Sequence, residues 1–343
     1  MNWEGFDPDA PASGEGLFGL PHTSNNAALV VVPVPFEATA SYRRGTAQGP
    51  AAIHEATMQV DLHDLETGEP WRFGIAMEEV DPDFIAWNEA ASTDALAVIA
   101  AGGADPDDPD SLDRCARIDA IMEKMNARVK EKVAAIFAKG QIPAVIGGDH
   151  STPFGAIAAA TEAHPGLGIL HVDAHADLRV AYEGFTWSHA SILYNVATRI
   201  PNVGPIVQIG IRDVGAGERA FSDNHPDFHT WYQPSVAWAL AGGESWLRLV
   251  EQMIRPLPEK VWITFDIDGL DPSLCPNTGT PVPGGLSWEQ ATSLLRALAE
   301  SGRKIVGFDL NEVAPGEDGW DAIVGARLLY KLAGWSLKNR LDV

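Results

Sequence analysis

Three short acidic segments of the 343-residue chain hold residue types that bind metal ions: Gly147-Gly148-Asp149-His150-Ser151, Asp173-Ala174-His175-Ala176-Asp177 and Asp266-Ile267-Asp268-Gly269-Leu270-Asp271-Pro272. Together they offer two histidines and at least four aspartates. Carboxylate oxygens with a little imidazole suit Mn²⁺, Ni²⁺ or another mid-row divalent ion better than a thiolate-loving one. So many carboxylates brought together would repel each other unless cations sat between them. A two-metal hydrolytic centre follows, because paired ions can share bridging carboxylates and activate a water. Each segment alone has a plainer reading. Asp149, His150 and Ser151 can cap a following helix, and Asp173, His175 and Asp177 can form a solvated acidic turn. The three together argue against both, since unpaired carboxylates buried at strand ends are costly.

Each segment follows a short apolar run that reads as a buried strand, at 142–146, 167–172 and 261–265. Further strand candidates are 28–34, 206–211 and 304–309. Helix candidates alternate with them at 51–59 (after Pro50), 152–163, 190–198, near Glu218, 245–255, 287–301 and 321–332. A longer one covers 114–139, where Ile118, Ile121, Met122, Met125, Val129, Val133 and Ile136 recur at helical spacing. This alternation predicts an α/β fold with a mostly parallel central sheet and helices on both faces. In such open sheets, sites form at the carboxyl ends of strands. If 173–177 is extended, Asp173, His175 and Asp177 point to one side. The second half of the stretch 80–113, which holds the Asp- and Pro-rich run 104–110, reads as an exposed loop. With no internal repeat and no convincing linker, the expectation is one domain over 1–343, comprising an N-terminal extension at 1–26 and a core at 28–333.

Composition narrows the partners. The net charge of −23, from 47 acidic against 24 basic residues, disfavours nucleic acid and anionic lipid. It would attract a cationic small molecule, although solubility alone also explains it. Cys115 and Cys275 give no disulfide framework, which fits a reducing cytoplasm. No apolar stretch is long enough to span a membrane. The acidic, Gly- and Pro-rich start at 1–16 lacks the basic and apolar regions of a signal peptide.

The three segments resemble the signatures of the ureohydrolases, the family of arginases, agmatinases, formiminoglutamases and their relatives. The resemblance extends through Gly45-Thr46-Ala47-Gln48-Gly49-Pro50, Ser188-His189-Ala190, Gly279-Thr280-Pro281 and Asp309-Leu310-Asn311-Glu312-Val313, and covers residues 28–333 in order. It implies an arginase-like three-layer α/β/α sandwich. It also implies two divalent ions per chain, Mn²⁺ or Ni²⁺. By this resemblance His150 and Asp177 would bind one ion, His175 and Asp268 the other, and Asp173 and Asp266 would bridge the pair. His189 would be the proton-shuttling residue and Glu312 would hold the guanidinium. Thr46 and Trp187 join Glu312 as substrate-contact candidates. The reaction implied is hydrolysis of a guanidino C–N bond to urea plus an amine or ammonia. Members of the family commonly form trimers or hexamers, so a homo-oligomer is expected, or a heteromer with a paralogous subunit.

The resemblance loosens around the substrate. The loop Ala181-Tyr182-Glu183-Gly184-Phe185-Thr186-Trp187 lacks the asparagine pattern of typical arginases. Typical agmatinases have His-Gly where this chain has His189-Ala190, and Asn277 stands where glycine is usual. If Tyr182, Phe185 and Trp187 narrow the pocket, a small or alkylated guanidine or biguanide is the expected substrate. They can equally pack against helices or subunits. Agmatine and guanidinobutyrate are the alternatives. Formiminoglutamate would require Arg43 or Arg44 for its acidic end, although a surface or subunit-contact role for both is also open. A single-zinc deacetylase-like hydrolase would lack ligands that are present here. A non-catalytic subunit would be expected to have lost ligands, and none is lost. Asp271 is expected to serve its loop as a hydrogen-bond acceptor, and Cys275 to be a buried structural residue.

Overall fold

The computed structural model describes residues 6–12 and 14–338. Its centre is an eight-stranded sheet of β1 (Leu29–Val34), β2 (Ile75–Met77), β3 (Ile142–Gly147), β4 (Gly168–Val172), β5 (Ile206–Ile211), β6 (Phe228–Tyr232), β7 (Lys260–Asp266) and β8 (Lys304–Asn311). The strand order is β2-β1-β3-β8-β7-β4-β5-β6, and every pairing is parallel. The helices are α1 (Gly49–Ala56), α2 (Pro82–Ala100), α3 (Pro109–Ala138), α4 (Phe154–Ala163), α5 (Ile192–Arg199), α6 (Ala216–Asn224), α7 (Gln233–Ala241), α8 (Trp246–Ile254), α9 (Trp288–Glu300) and α10 (Trp320–Lys338).

Alternation along each strand divides the core in two. Leu29, Val31, Ile263 and Phe265 pack with α1, α7, α8, α9 and α10 on one face. Val30, Val32, Val34 and Trp262 pack with α2, α3, α4 and α5 on the other. A parallel sheet covered on both faces needs apolar residues at both parities, and the burial of all six residues of β1 fits that demand. The result is the expected α/β/α sandwich.

Three differences from the sequence reading have physical causes. Helix α2 was not expected, because exposed Ile85 and Leu96 blur a buried stripe made largely of small residues (Phe84, Ala91, Ala95, Val98). Asp108 caps α3 by accepting from Asp110 N–H, so the helix starts at Pro109 rather than 114, inside the stretch read as loop. Part of the stretch set apart as an extension is core: Leu17, Phe18 and Leu20 are buried, with the Phe18 ring 4.8 Å from that of Tyr330. Residues 1–5 of that extension, and 339–343 at the other end of the expected domain, lie outside the described residues.

The order of the middle strands matters most for function. β3, β8, β7 and β4 are consecutive neighbours, and their carboxyl ends carry Gly148–His150, Glu312, Asp266–Asp268 and Asp173–Asp177. Four segments far apart in sequence thus meet at one edge of the sheet. The close approach at β3 depends on Gly148, where a Cβ would sit 2.0 Å from the Phe36 carbonyl oxygen.

Candidate metal centre and active site

His150 is the pivot of the site. Its Nε2 lies 2.8 Å from Thr264 Oγ1, and that hydroxyl donates to Asp309 Oδ1 at 2.7 Å. With the threonine proton committed, Oγ1 must accept from Nε2–H. The other nitrogen, Nδ1, therefore presents its lone pair. It faces Asp173 Oδ2 at 2.9 Å, Asp177 Oδ2 at 3.3 Å and Asp266 Oδ2 at 3.3 Å. The second imidazole repeats the arrangement. His175 Nδ1 lies 3.0 Å from Asp268 Oδ2 and 3.5 Å from Asp173 Oδ1. Asp173 thus turns one oxygen to each histidine, the geometry of a bridging ligand. Asp266 offers Oδ2 to the cluster, while its Oδ1 accepts from Asp268 N–H at 2.8 Å.

The donor set fits a pair of divalent ions. Asp173, Asp177, Asp266 and Asp268 are all buried, and their mutual repulsion calls for positive charge. Burial, then the charge of Asp173, pushes Asp177 up to about 7. Burial, with Asp268 and Asp173, raises Asp266 well above the carboxylate range. Asp173 itself is held well below it: burial opposes ionisation, but His171, His150 and His175 outweigh it. Burial works against charging His175 too, yet Asp268 and Asp173 raise it to about 12. Sites that draw a proton this strongly onto imidazole would draw a dication instead. Neutral imidazole with ionised carboxylate is the hard, oxygen-rich set that mid-row ions take.

The segment 173–177 is not one extended run. The chain leaves β4 at Val172, and Asp177 adopts φ 54°, a left-handed conformation rare for a residue with a side chain. Glu312 does the same at φ 63°. Strained residues of this kind cluster at functional sites, held by the structure around them. Glu312 is fixed by two bonds: its N–H donates to Gly148 O at 2.8 Å, and its Oε1 accepts from His150 N–H at 2.9 Å. Gly279 leaves space beside Oε2, where a Cβ would come within 3.3 Å. Burial, then Asp149 and Asp268, raise the Glu312 carboxyl well above its ordinary range.

A cleft of about 480 Å³ opens over these groups. His150, His175, Asp177, Asp266, His189 and Glu312 line it, with Arg43, Arg179, Tyr182 and Asp213 on its walls. Arg179 stacks its guanidinium 4.9 Å from the Tyr182 ring centre. Burial lowers the His189 pKa, opposed by Asp149 and aided by His175 and His150. Burial thus favours the neutral imidazole at His189.

Two candidate substrate residues lie elsewhere. Trp187 lines a separate cavity between α3 and α4, in edge contact with Phe154 and under the Arg199 guanidinium at 4.8 Å. Its side chain points away from the cleft although His189, two residues on, enters it. Thr46 is buried and donates to Glu37 Oε2 at 3.2 Å, supporting the first loop from behind. Phe185 is buried in the core, so of the three loop aromatics only Tyr182 lines the cleft. Arg43 lines it too and donates to Pro276 O at 2.9 Å, whereas Arg44 turns to Glu37 and Ser92. Asp271 accepts from Ser273 N–H and Oγ–H, and buried Cys275 donates to Ile267 O. Asn277 donates from its backbone N–H and its amide to the two oxygens of Asp321, both at 2.9 Å. It occupies space that Gly316 leaves open, where a Cβ would lie 2.3 Å from the Asn277 amide nitrogen.

One supporting residue escaped the sequence reading. His171, fully buried in β4, lies 2.9 Å from Asp173 Oδ2 through Nε2. The amide of Gln208 fixes its tautomer by donating to Nδ1 at 3.0 Å, and Gln208 Oε1 accepts from Thr230 Oγ1 at 2.7 Å. The signal was present: a histidine inside an apolar strand, two residues before Asp173 and so on the same side of the strand.

The comparisons with known proteins agree with this geometry. The model of the arginase family matches residues 27–334. The chain is 28% identical over 318 residues to N(1)-aminopropylagmatine ureohydrolase of Synechocystis, covering 90% of this chain and 89% of that protein. It is 28% identical over 329 residues to guanidinobutyrase of Pseudomonas aeruginosa, covering 92% and 90%. The solved agmatine ureohydrolase of Thermoplasma volcanium superposes with a TM-score of 0.72 at 25% identity, over 96% of this chain and 97% of that one. The chain belongs to the arginase family.

Proposed function

We propose that this enzyme hydrolyses a C–N bond of a compact guanidino compound, a small or alkylated guanidine or biguanide, giving urea plus an amine or ammonia. The observation that carries the reading is Glu312, a buried carboxylate sharing the cleft with the metal-ligand cluster. With Oε1 tied to His150 N–H, Oε2 is left to take a guanidinium N–H as a charge-assisted bond. The residues His150, Asp173, His175, Asp177, Asp266 and Asp268 would hold two divalent ions, Mn²⁺ or Ni²⁺. When bound, such ions supply Lewis acidity and lower the pKa of water. Glu312 binds the planar guanidinium and sets its face toward the cluster. His189 carries a proton to the departing nitrogen, so the C–N bond breaks to release a neutral amine.

Arg43 and Arg179 on the cleft walls, with Tyr182 stacked on the latter, oppose a long cationic tail and favour a short one. A second reading rests on Asp213, an exposed carboxylate on the same wall, which would suit the far ammonium of agmatine. The names of the relatives also favour guanidino compounds with a chain: aminopropylagmatine, guanidinobutyrate, agmatine. The family habit of trimers or hexamers supports a homo-oligomeric assembly.

A panel decides among them. Metal-free protein is reloaded with Mn²⁺ or Ni²⁺, and urea release is measured with arginine, agmatine, guanidinobutyrate, guanidine, methylated guanidines and a biguanide. Preference for guanidine or its alkyl derivatives supports the proposal. Preference for agmatine moves the assignment to the Asp213 reading. Absence of urea from every compound, with two ions bound per chain, rejects guanidino hydrolysis by the isolated chain and directs attention to formiminoglutamate chemistry or a missing subunit.

A further inference from the structure

His189 is held by a contact outside the set of residues considered so far. Thr39 lies in the loop after β1 and is fully buried. Its Oγ1 donates to Asp149 Oδ2 at 3.0 Å, and its N–H reaches the same oxygen at 3.3 Å. That oxygen of Thr39 also accepts from His189 N–H at 3.2 Å and lies 3.4 Å from His189 Nδ1. Asp149 is locked in turn, because Ser151 N–H and Oγ–H both donate to its Oδ1. A hydroxyl has one proton. Here it is spent on a carboxylate, so toward His189 the oxygen can only accept. A proton on Nδ1 would give that oxygen a donor, with Ser188 Oγ as a second acceptor at 3.4 Å, and would leave the lone pair of neutral His189 on Nε2. His189 lines the cleft while Nδ1 is turned to Thr39 and Ser188 Oγ, which leaves Nε2 toward the cleft.

We propose that Thr39 is a positioning residue: its hydroxyl, anchored by Asp149, selects the tautomer and ring orientation of His189 that put a basic Nε2 in the cleft. The arrangement is that of an imidazole oriented by a carboxylate, with a hydroxyl interposed. It also places the Asp149 charge behind the ring when His189 takes up its proton. The inference rests on the proton-transfer role given to His189 above, and the test separates the two.

Four variants are compared as Mn²⁺-loaded protein: T39V, T39S, H189A and the double variant T39V/H189A. Urea release is followed with guanidine, or with agmatine if guanidine is not hydrolysed, and bound metal is measured alongside. T39V keeps the branched shape and loses the hydroxyl. It is expected to lower kcat roughly 10- to 100-fold, part of what a general acid–base group contributes, with KM and metal content unchanged. T39S, which restores the hydroxyl, should recover most of the rate. In the H189A background, T39V should have no further effect. Crystal structures of T39V and the parent should show the His189 ring turned in the variant, with the six metal ligands in place. An equal loss from T39V in both backgrounds, no rescue by serine, or an unmoved ring would overturn the role of Thr39. Full activity of H189A would instead overturn proton transfer by His189, and the crystal comparison would still test the tie.

Discussion

Glu312 has two demands on one carboxylate. It accepts from His150 N–H and, in the proposed function, binds a cationic substrate, and only the first survives loss of charge. Glu312→Gln keeps an acceptor oxygen and removes the negative charge. A hydrogen bond to a charged group contributes about 1.5–3 kcal/mol, so kcat/KM should fall roughly 10- to 100-fold with metal content retained, read by urea release and metal analysis. The metal ligands carry a second prediction. Each must be deprotonated to bind, yet Asp177 sits near 7, Asp266 lies above its ordinary value and His175 is raised to about 12. Metal uptake must therefore release protons, and apparent affinity must rise with pH through neutrality. Calorimetry in buffers of different ionisation enthalpy checks the sign; an affinity independent of pH across that range would contradict it. At this scale the candidate ligands are legible because each sits in an acidic segment after an apolar strand. His171 is not, because it lies inside the strand. Trp187 was misplaced because neighbours on an irregular loop follow no fixed alternation, so proximity to His189 in sequence gave no direction for its ring.

The elements that build the cleft are less evenly legible. Strands β1, β3, β4, β5, β7 and β8 emerge from continuous apolar runs, since both faces are buried. The three-residue β2 and the outermost β6 do not, because most of β6 is only half-buried and alternates with polar residues. The stretch 101–108 falls in the expected loop, but it packs against the turn that carries Tyr182. Ala104 N–H donates to Glu183 O at 2.9 Å, next to Tyr182. Gly184 adopts φ +97°, and a Cβ there would fall 2.3 Å from the Ala104 Cβ. Gly184→Ala is therefore strained twice, by handedness and by overlap, and should cost about 1–3 kcal/mol. Because Tyr182 rides on the same turn, KM should rise several-fold with the metal sites intact. Thermal denaturation and Michaelis kinetics measure the two effects separately.

For the whole molecule, bound ions would be part of the stability. Bringing four carboxylates together at the centre of the sheet edge is unfavourable until cations neutralise them. Binding to the folded state alone contributes about 2.7 kcal/mol when free metal is 100 times its Kd. At about 2.1 cal/mol/K of unfolding entropy per residue, a chain of 343 residues shifts its Tm by roughly 1–2 °C per kcal/mol. Chelation should lower Tm by at least several degrees, and readdition of Mn²⁺ or Ni²⁺ should restore it, as scanning calorimetry can record. An unchanged Tm would mean that the carboxylates are neutralised by protons rather than metal. The sandwich itself was readable from the alternation of runs, because a parallel sheet leaves few other ways to connect them.

Asn277 and Gly316 depend on each other in one direction only. The amide that grips Asp321 lies where any side chain at 316 would have to begin, and Gly316 is also left-handed, at φ +64°. A side chain at 316 would therefore be strained on two independent grounds, whereas 277 is open to change in one direction. Replacing Asn277 by glycine would remove the overlap but leave the handedness. The tether to Asp321 therefore depends on the absence of a side chain at 316: Gly316→Ala would have to displace the Asn277 amide from Asp321, whereas Asn277→Gly would leave position 316 as it is.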